Sequence, residues 1–258
     1  MKQVLSGYKG THKSMFIVPI GDIHFGNKYF IEQYLDEALE FVKQNRNRCR
    51  IVLMGDLLEL ATKTSVGRSV YDEAYPTQKQ FEIAVEKFLP FADLIDVILD
   101  GNHEERIIRD TSFEITEELS HRLGRHDAYC KFQGMLNVNM GNGMTYSIHA
   151  WHGASGGTKE TSAINGLLSM RDVSLSHVYL MGHTHKLFAF PRKLIIPQPD
   201  SGEVATIEQL FVNTGTAVGN GGYGEQKGYA MTKLGFGAIQ LFADKRKAIF
   251  HCIEDLMG

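Results

Sequence analysis

Five times along this 258-residue chain, a short apolar run stops at a polar residue of the kind that holds metal ions. Residues 15–20 lead into Gly21-Asp22-Ile23-His24, and residues 51–54 into Gly55-Asp56. Residues 97–99 lead into Asp100-Gly101-Asn102-His103, and residues 147–151 into His152-Gly153. Residues 178–181 lead into Gly182-His183-Thr184-His185. Apolar runs this short, bounded by turn residues, read as buried strands. In open α/β sheets ligands bind beyond the carboxyl ends of the strands. The pattern therefore gathers Asp22, His24, Asp56, Asn102, His103, His152, His183 and His185 on one edge of the molecule. At the end of a strand, period two turns His183 and His185 to the same side, and imidazole is the commonest metal ligand. Any one of these residues alone reads as an ordinary turn or surface residue; five coincidences at one structural position read as a site. Glycine adjoins most of them, which permits sharp turns and close approach of backbone to a ligand.

Between the strands, residues 30–44 carry apolar side chains at helical spacing with charges between. Residues 78–89 and 161–170 read as further helices, and 113–123 as a helix stopped by Gly124. Residues 135–150 form a hairpin around 139–143, where Asn142-Gly143 supplies positive φ. Pro19 lacks a ladder donor, so it belongs near the end of its strand. Residues 61–77 show no clear period and read as a long functional loop or a broken helix. From 187 to 250 short strand-like runs alternate with Gly and Pro turns, with no long helix before the last residues. Strands alternating with helices favour one α/β domain whose sheet is covered on both sides.

Composition excludes little. An apolar fraction of 43% and a charged fraction of 22% suit a soluble globular protein. A formal charge of −3 creates no global field that demands a nucleic-acid or membrane partner. No run approaches the ~18–20 apolar residues needed to span a membrane. Cys49, Cys130 and Cys252 are scattered without metal-site spacing and read as core residues in a reducing cytosol. The expected location is cytoplasmic.

Read in order, Gly-Asp-x-His, Gly-Asp-x-x-Glu, Gly-Asn-His-Glu, His-Gly and Gly-His-x-His resemble the motifs of the calcineurin-like metallophosphoesterases. The resemblance runs from residue 21 to 185 and on to Asn213-Thr214-Gly215-Thr216. It implies an α/β fold, an αββα sandwich of two mixed β-sheets packed face to face with helices outside. Chain length favours a single domain over 1–258, without a separate capping domain. The resemblance implies two divalent transition-metal ions, manganese first, with iron, zinc, nickel or cobalt as alternatives. Asp22, His24, Asp56 and His185 would hold one ion, and Asp56, Asn102, His152 and His183 the other, with Asp56 bridging. His103 would face the substrate as general acid or hydrogen-bond donor. Glu59 stands where many members have aspartate, and would orient His103 through a longer side chain.

The chemistry fits these residues. Two divalent ions about 3.5–4 Å apart neutralise a phosphoester and lower the pKa of bridging water, supplying hydroxide near neutral pH. Mixed nitrogen and oxygen ligands without thiolate suit transition metals better than Mg or Ca. The expected activity is hydrolysis of phosphodiesters of nucleotide or nucleic-acid type. The alternatives are a phosphomonoesterase, a subunit of a larger nucleic-acid machine, or a scaffold of this fold that binds a protein partner without catalysis. A protein phosphatase is disfavoured, since Leu60-Ala61-Thr62 follows Glu59 where that branch carries Arg-Gly. Residues 152–159 offer an anion nest reinforced by Ser155 and Lys159. Arg68, Tyr71, Tyr75, Tyr223, Lys227 and Tyr229 mix bases with aromatics and make nucleic acid a second partner to consider. Trp151 reads as packing and His149 as a satisfied core histidine. His12, His121, His126, His177 and His251 have no partner motif.

Overall fold

The computed structural model describes the chain except for residues 8–11, 63–64, 66–72, 142, 155–158 and 222–231. Arg68, Tyr71, Ser155, Tyr223, Lys227 and Tyr229 lie outside the described residues. The strands are β1 Lys2–Gly7, β2 Ser14–Ile20, β3 Cys49–Leu53, β4 Ile95–Leu99, β5 Tyr129–Lys131 and β6 Gln133–Asn139. They continue as β7 Thr145–Trp151, β8 Val178–Met181, β9 Leu187–Gln198, β10 Glu203–Thr216, β11 Gly235–Phe242 and β12 Ala248–Cys252. The helices are α1 Glu32–Gln44, α2 Thr77–Phe88, α3 Asn102–Thr111, α4 Ile115–Arg122, α5 Glu160–Val173 and α6 Ile253–Met257.

Two mixed sheets stack face to face. One runs β12-β11-β2-β3-β4-β5, with β2, β3, β4 and β5 parallel and β11 antiparallel to its neighbours. The other runs β1-β6-β7-β8-β10-β9. They join at one corner, where Gly215 and Thr216 of β10 pair with Phe236 and Gly235 of β11. Pro19 pairs across to Val52, but β11 reaches only Ile17, so the missing N–H falls beyond the β11 ladder.

Period two explains the layers. In β2, Phe16, Val18 and Ile20 pack outward beneath Leu35, Ala38 and Val42 of α1, while Met15 and Ile17 point inward. Val52 and Val97 join them and meet Leu136, Ile148, Val178 and Val212 of the facing sheet. The central strands are thus buried on both faces, which is why they read as unbroken apolar runs. Ala163, Leu167 and Met170 of α5 cover Tyr179, Met181 and Phe211 on the far side. The result is an αββα sandwich, as the motif resemblance implies, rather than one sheet between helices.

Three local differences have simple causes. Helix α3 goes unread from periodicity, because apart from Ile107 and Ile108 its residues are polar or small and only Glu104 is fully buried. Strands β9 and β10 are 12 and 14 residues long where proline suggested turns. Pro191 and Pro197 are tolerated because β9 is an edge strand with one ladder to satisfy. Strand β1 was not expected, and pairs parallel to β6. The 135–150 hairpin forms around Gly141 and Gly143, both at positive φ, and Gly124 ends α4 at φ +66°.

Candidate metal centre

Every strand that carries a ligand-type residue ends at the same edge. Asp22, His24, Asp56, His183 and His185 all have φ between +47° and +65°. Left-handed backbone is disfavoured for residues with side chains and persists only where the surroundings enforce it. Here the Asp22 N–H donates to the Gly55 carbonyl, and the Ile23 and His24 N–H groups to the Asp56 carbonyl, each at 3.0 Å. The His183 N–H donates to Asp22 Oδ2 at 2.9 Å. Gly182 is required there, since a Cβ would stand 2.7 Å from that carboxylate.

The side chains form two lobes. In the first, Asp22 Oδ1 is 3.4 Å from His185 Nε2, which is 3.1 Å from His24 Nε2. In the second, Asn102 Oδ1 is 2.7 Å from His183 Nδ1 and 3.3 Å from His152 Nε2. Asp56 Oδ2 stands between them, 3.7 Å from His24 Nε2 and 3.4 Å from His152 Nε2. All seven residues that the motif resemblance implies as ligands therefore converge.

The donor set fits cations. His152 Nδ1–H donates to the Met54 carbonyl at 2.8 Å, which leaves Nε2 as an acceptor facing Asp56 and Asn102. His24 Nδ1 lies 3.2 Å from Glu59 Oε2, turning its Nε2 toward Asp56 and His185. Acceptors thus face acceptors, and in the bare protein only protons relieve them. Burial opposes charge on His152, yet the Asp56 and Asp22 carboxylates outweigh it and raise the imidazole to about 10. Burial likewise opposes charge on His24, but Glu59 and Asp56 raise it. Burial also works against ionised Asp56, and His152 and His103 nonetheless hold it well below the usual carboxylate range. Metal binding must displace the imidazole protons. Apparent metal affinity is therefore expected to rise between pH 6 and pH 9, about tenfold per unit for each proton displaced. Calorimetry in two buffers of different ionisation enthalpy checks this: equal heats, meaning no proton release, would refute it.

His103 sits against the bridge, its Nε2 3.9 Å from Asp56 Oδ2 and its main-chain N–H donating to Asp56 Oδ1 at 2.9 Å. Its orientation differs from the expectation in one atom. His103 Nδ1–H donates to the Glu59 main-chain carbonyl at 2.6 Å, while the Glu59 carboxylate stands 3.9 Å away. The extra methylene carries that carboxylate on to Asn27, which donates to it at 2.9 Å, and to His24. Burial lowers the His103 imidazole to about 4, with His24 and Arg106 adding to the effect against Asp56.

Two residues of the site have roles that the sequence does not reveal, although Glu104 closes the Gly-Asn-His-Glu motif. Arg106, one helical turn after His103, donates from Nη2 to His103 Nε2 at 3.0 Å. Glu104 is buried, and both its oxygens accept main-chain N–H groups: Oε2 from Asp56 and Gly101, Oε1 from Leu57 and Leu58, at 2.8–3.1 Å. Gly101 is needed because a Cβ there would fall 2.1 Å from Asp56 Oδ1. The Gly101 contact is a helix capping interaction, Glu104 being the third residue of α3.

Lys159 is exposed at the start of α5, where its main-chain carbonyl accepts the Ser162 N–H at 3.1 Å. His149 is buried and satisfied by Gln133 and Ser174, both at 3.0 Å. His121 and His126 are not isolated, since their rings stack at 4.2 Å.

No protein-family model matches the sequence, and no curated protein matches it. The structure is similar to solved structures. One is a conserved Streptococcus pneumoniae protein described as a predicted phosphoesterase, at 14% identity and a TM-score of 0.40, covering 93% of this chain and 91% of that one. Another is a metallophosphoesterase from Sphaerobacter thermophilus, at 15% identity and 0.39, covering 93% and 88%. A third is Vacuolar Protein Sorting 29 from Cryptosporidium parvum, at 14% identity and 0.40, covering 93% and 98%.

Proposed function

We propose that this chain is a calcineurin-like metallophosphoesterase that hydrolyses phosphodiesters at a two-metal centre. The observation that carries the reading is Asp56, whose Oδ2 lies within 3.4–3.9 Å of His152, His24 and His103. Asp22, His24, Asp56 and His185 would hold one ion, and Asp56, Asn102, His152 and His183 the other. When bound, the two ions supply Lewis acidity toward the phosphoryl oxygens and acidify water. Manganese is the ion we expect. The protein's own part is to place groups around the phosphate. Arg106 is close enough to His103 for its guanidinium to bind a non-bridging oxygen, a planar fork suited to phosphate. His103 Nε2 faces the same space; burial keeps the imidazole neutral and Arg106 donates to Nε2, so it would serve the leaving oxygen only after taking up a proton as Arg106 turns to the phosphate, while Nδ1–H stays bound to the Glu59 carbonyl. Glu59 fixes His24 with its carboxylate and His103 with its carbonyl.

The chain reads as one catalytic domain without a cap, so its loops, with Ser155 and Lys159 among them, would select the substrate. Its three cysteines are unpaired, which suits a reducing compartment such as the cytoplasm. Among the described residues no helix is long and apolar enough to cross a membrane. A scaffold role without catalysis would leave this ligand set without a purpose.

The test is hydrolysis of bis-p-nitrophenyl phosphate and p-nitrophenyl phosphate by manganese-reconstituted protein, beside His103→Ala. The variant keeps the main-chain bond to Asp56, so metal content should hold while diester turnover falls about 10²–10⁴-fold. Activity on the monoester alone would replace the diester reading. Full activity in His103→Ala would remove the residue from the mechanism.

A further inference from the structure

A groove of about 320 Å³ opens beside the second lobe of the centre. Asn102, His152 and His183 of the centre line it together with Phe132, Trp151 and Glu105. We propose that this groove binds the base of a nucleotide substrate, its aromatic face on Trp151 and Phe132 and its phosphate at the metal centre. The proposal rests on the phosphoesterase reading and names the class of substrate.

The chemistry of the lining carries it. The groove is small, at the lower end of the range for small-molecule sites, about 300–1,000 Å³. No lysine or arginine lines it among the described residues, and its acids, Asp100 and Glu105, repel phosphate. Asp100 is buried and occupied by the Tyr129 hydroxyl at 3.0 Å. The Glu105 carboxylate has no hydrogen bond or ion pair among the described residues and stands ready to accept from N–H donors. An occupant with an aromatic face, N–H edges and an anionic group that reaches Asn102, His152 and His183 of the centre suits the lining. A nucleotide has all three, whereas an acyl chain has no donors for Glu105.

Position supports the same reading. Trp151 is packed on one side against the α5 core, so its indole is held in place. Phe132 immediately precedes Gln133, which pairs with Trp151 across β6 and β7, so both rings stand at one end of the hairpin. Phe132 is 50% exposed, with the Lys131 ammonium 5.5 Å from its ring centroid, so part of the phenyl surface is open to a ligand. Stacking on such rings is tolerant of base identity.

Trp151 is the chain's only tryptophan, so its fluorescence reports on this groove alone. The experiment titrates the full chain, metal-free and zinc-loaded, with adenosine, AMP, ribose 5-phosphate and phosphotyrosine. We expect adenosine to quench saturably in both forms and AMP to bind more tightly when zinc is present. Ribose 5-phosphate should displace AMP from the zinc form without quenching. Phe132→Ala should weaken adenosine at least about fivefold, the lower end of what base stacking supplies. Absence of a quench by adenosine, a quench indifferent to Phe132→Ala, or phosphotyrosine binding as tightly as AMP would each overturn the proposal. If adenosine quenches through Phe132 but zinc adds nothing for AMP, the groove stands and the phosphoesterase reading fails.

Discussion

Replacing Asp56 with asparagine is expected to lower phosphodiester hydrolysis by on the order of 10³-fold or more, beyond what one electrostatic partner usually supplies. The amide matches the carboxylate in shape, so the close approach of Gly101 and the bond from the His103 N–H can survive. What disappears is the charge that both lobes share. His152 loses the nearer of the two carboxylates that hold it protonated, and His24 loses one of its supports. Metal content should fall from two ions per chain toward one or none. Asp22→Asn is the control, because Asp22 Oδ1 faces the His185 imidazole at 3.4 Å, while toward the other lobe the carboxylate meets the main-chain N–H of His183, which an amide oxygen can still accept. It should weaken one ion and leave the other. Elemental analysis after dialysis reads both variants, and two tightly held ions in Asp56→Asn would remove the bridge from the mechanism.

Glu104→Ala is expected to be the most damaging change outside the ligand set. It strands four main-chain N–H groups, those of Asp56, Leu57, Leu58 and Gly101, in a buried site. Each buried donor left without a partner costs about 1–3 kcal/mol. Even partial relaxation leaves a loss of about 4 kcal/mol, a large part of the 5–15 kcal/mol typical of a whole protein. For a chain of this length that lowers the melting temperature by about 10 °C. Burial and the Asp56 carboxylate push the Glu104 carboxyl up to about 7, while the N–H groups favour its ionised form. Glu104→Gln should therefore fall between wild type and alanine, since one amide oxygen can still accept. A thermal scan of the metal-free proteins decides the matter. Alanine melting within about 2 °C of wild type would mean that water or rearrangement satisfies the donors.

The sequence was informative where structure is local. Each ligand lies within four residues of an apolar run, so strand and site could be read together, as at Asp22 and His24 after β2. The roles of Glu104, though it stands in the Gly-Asn-His-Glu motif, and of Arg106 were not legible for the opposite reason. A buried acid and a charged helix face look like surface residues until one knows which backbone they meet. Glu104 meets N–H groups 46 to 48 positions earlier. The stacking of two sheets was also hidden, because a strand buried on both faces does not show which layer it joins. There the resemblance to a motif family supplied what periodicity could not. The partner of His103 was placed on the right residue and the wrong atom, a difference of one methylene. Pro191 and Pro197 misled because an edge strand accepts what a central strand rejects.

The ligand residues are divided between the layers. Asp22, His24, Asp56 and Asn102 follow strands of one sheet, and His152, His183 and His185 follow strands of the other. Beyond the corner where β10 meets β11 and the main-chain bonds just after it, such as the Ala217 N–H to the Asp22 carbonyl, the ligand edge joins the two layers through side chains such as His152, which donates to the Met54 carbonyl. Ions bound across that seam would act as a fastener between plates, resisting their sliding more than their separate unravelling. Loading the centre should therefore slow amide exchange at the ends of β2, β3, β7 and β8 together, as one opening unit. Exchange in the outer helices, which touch only one plate each, should change far less.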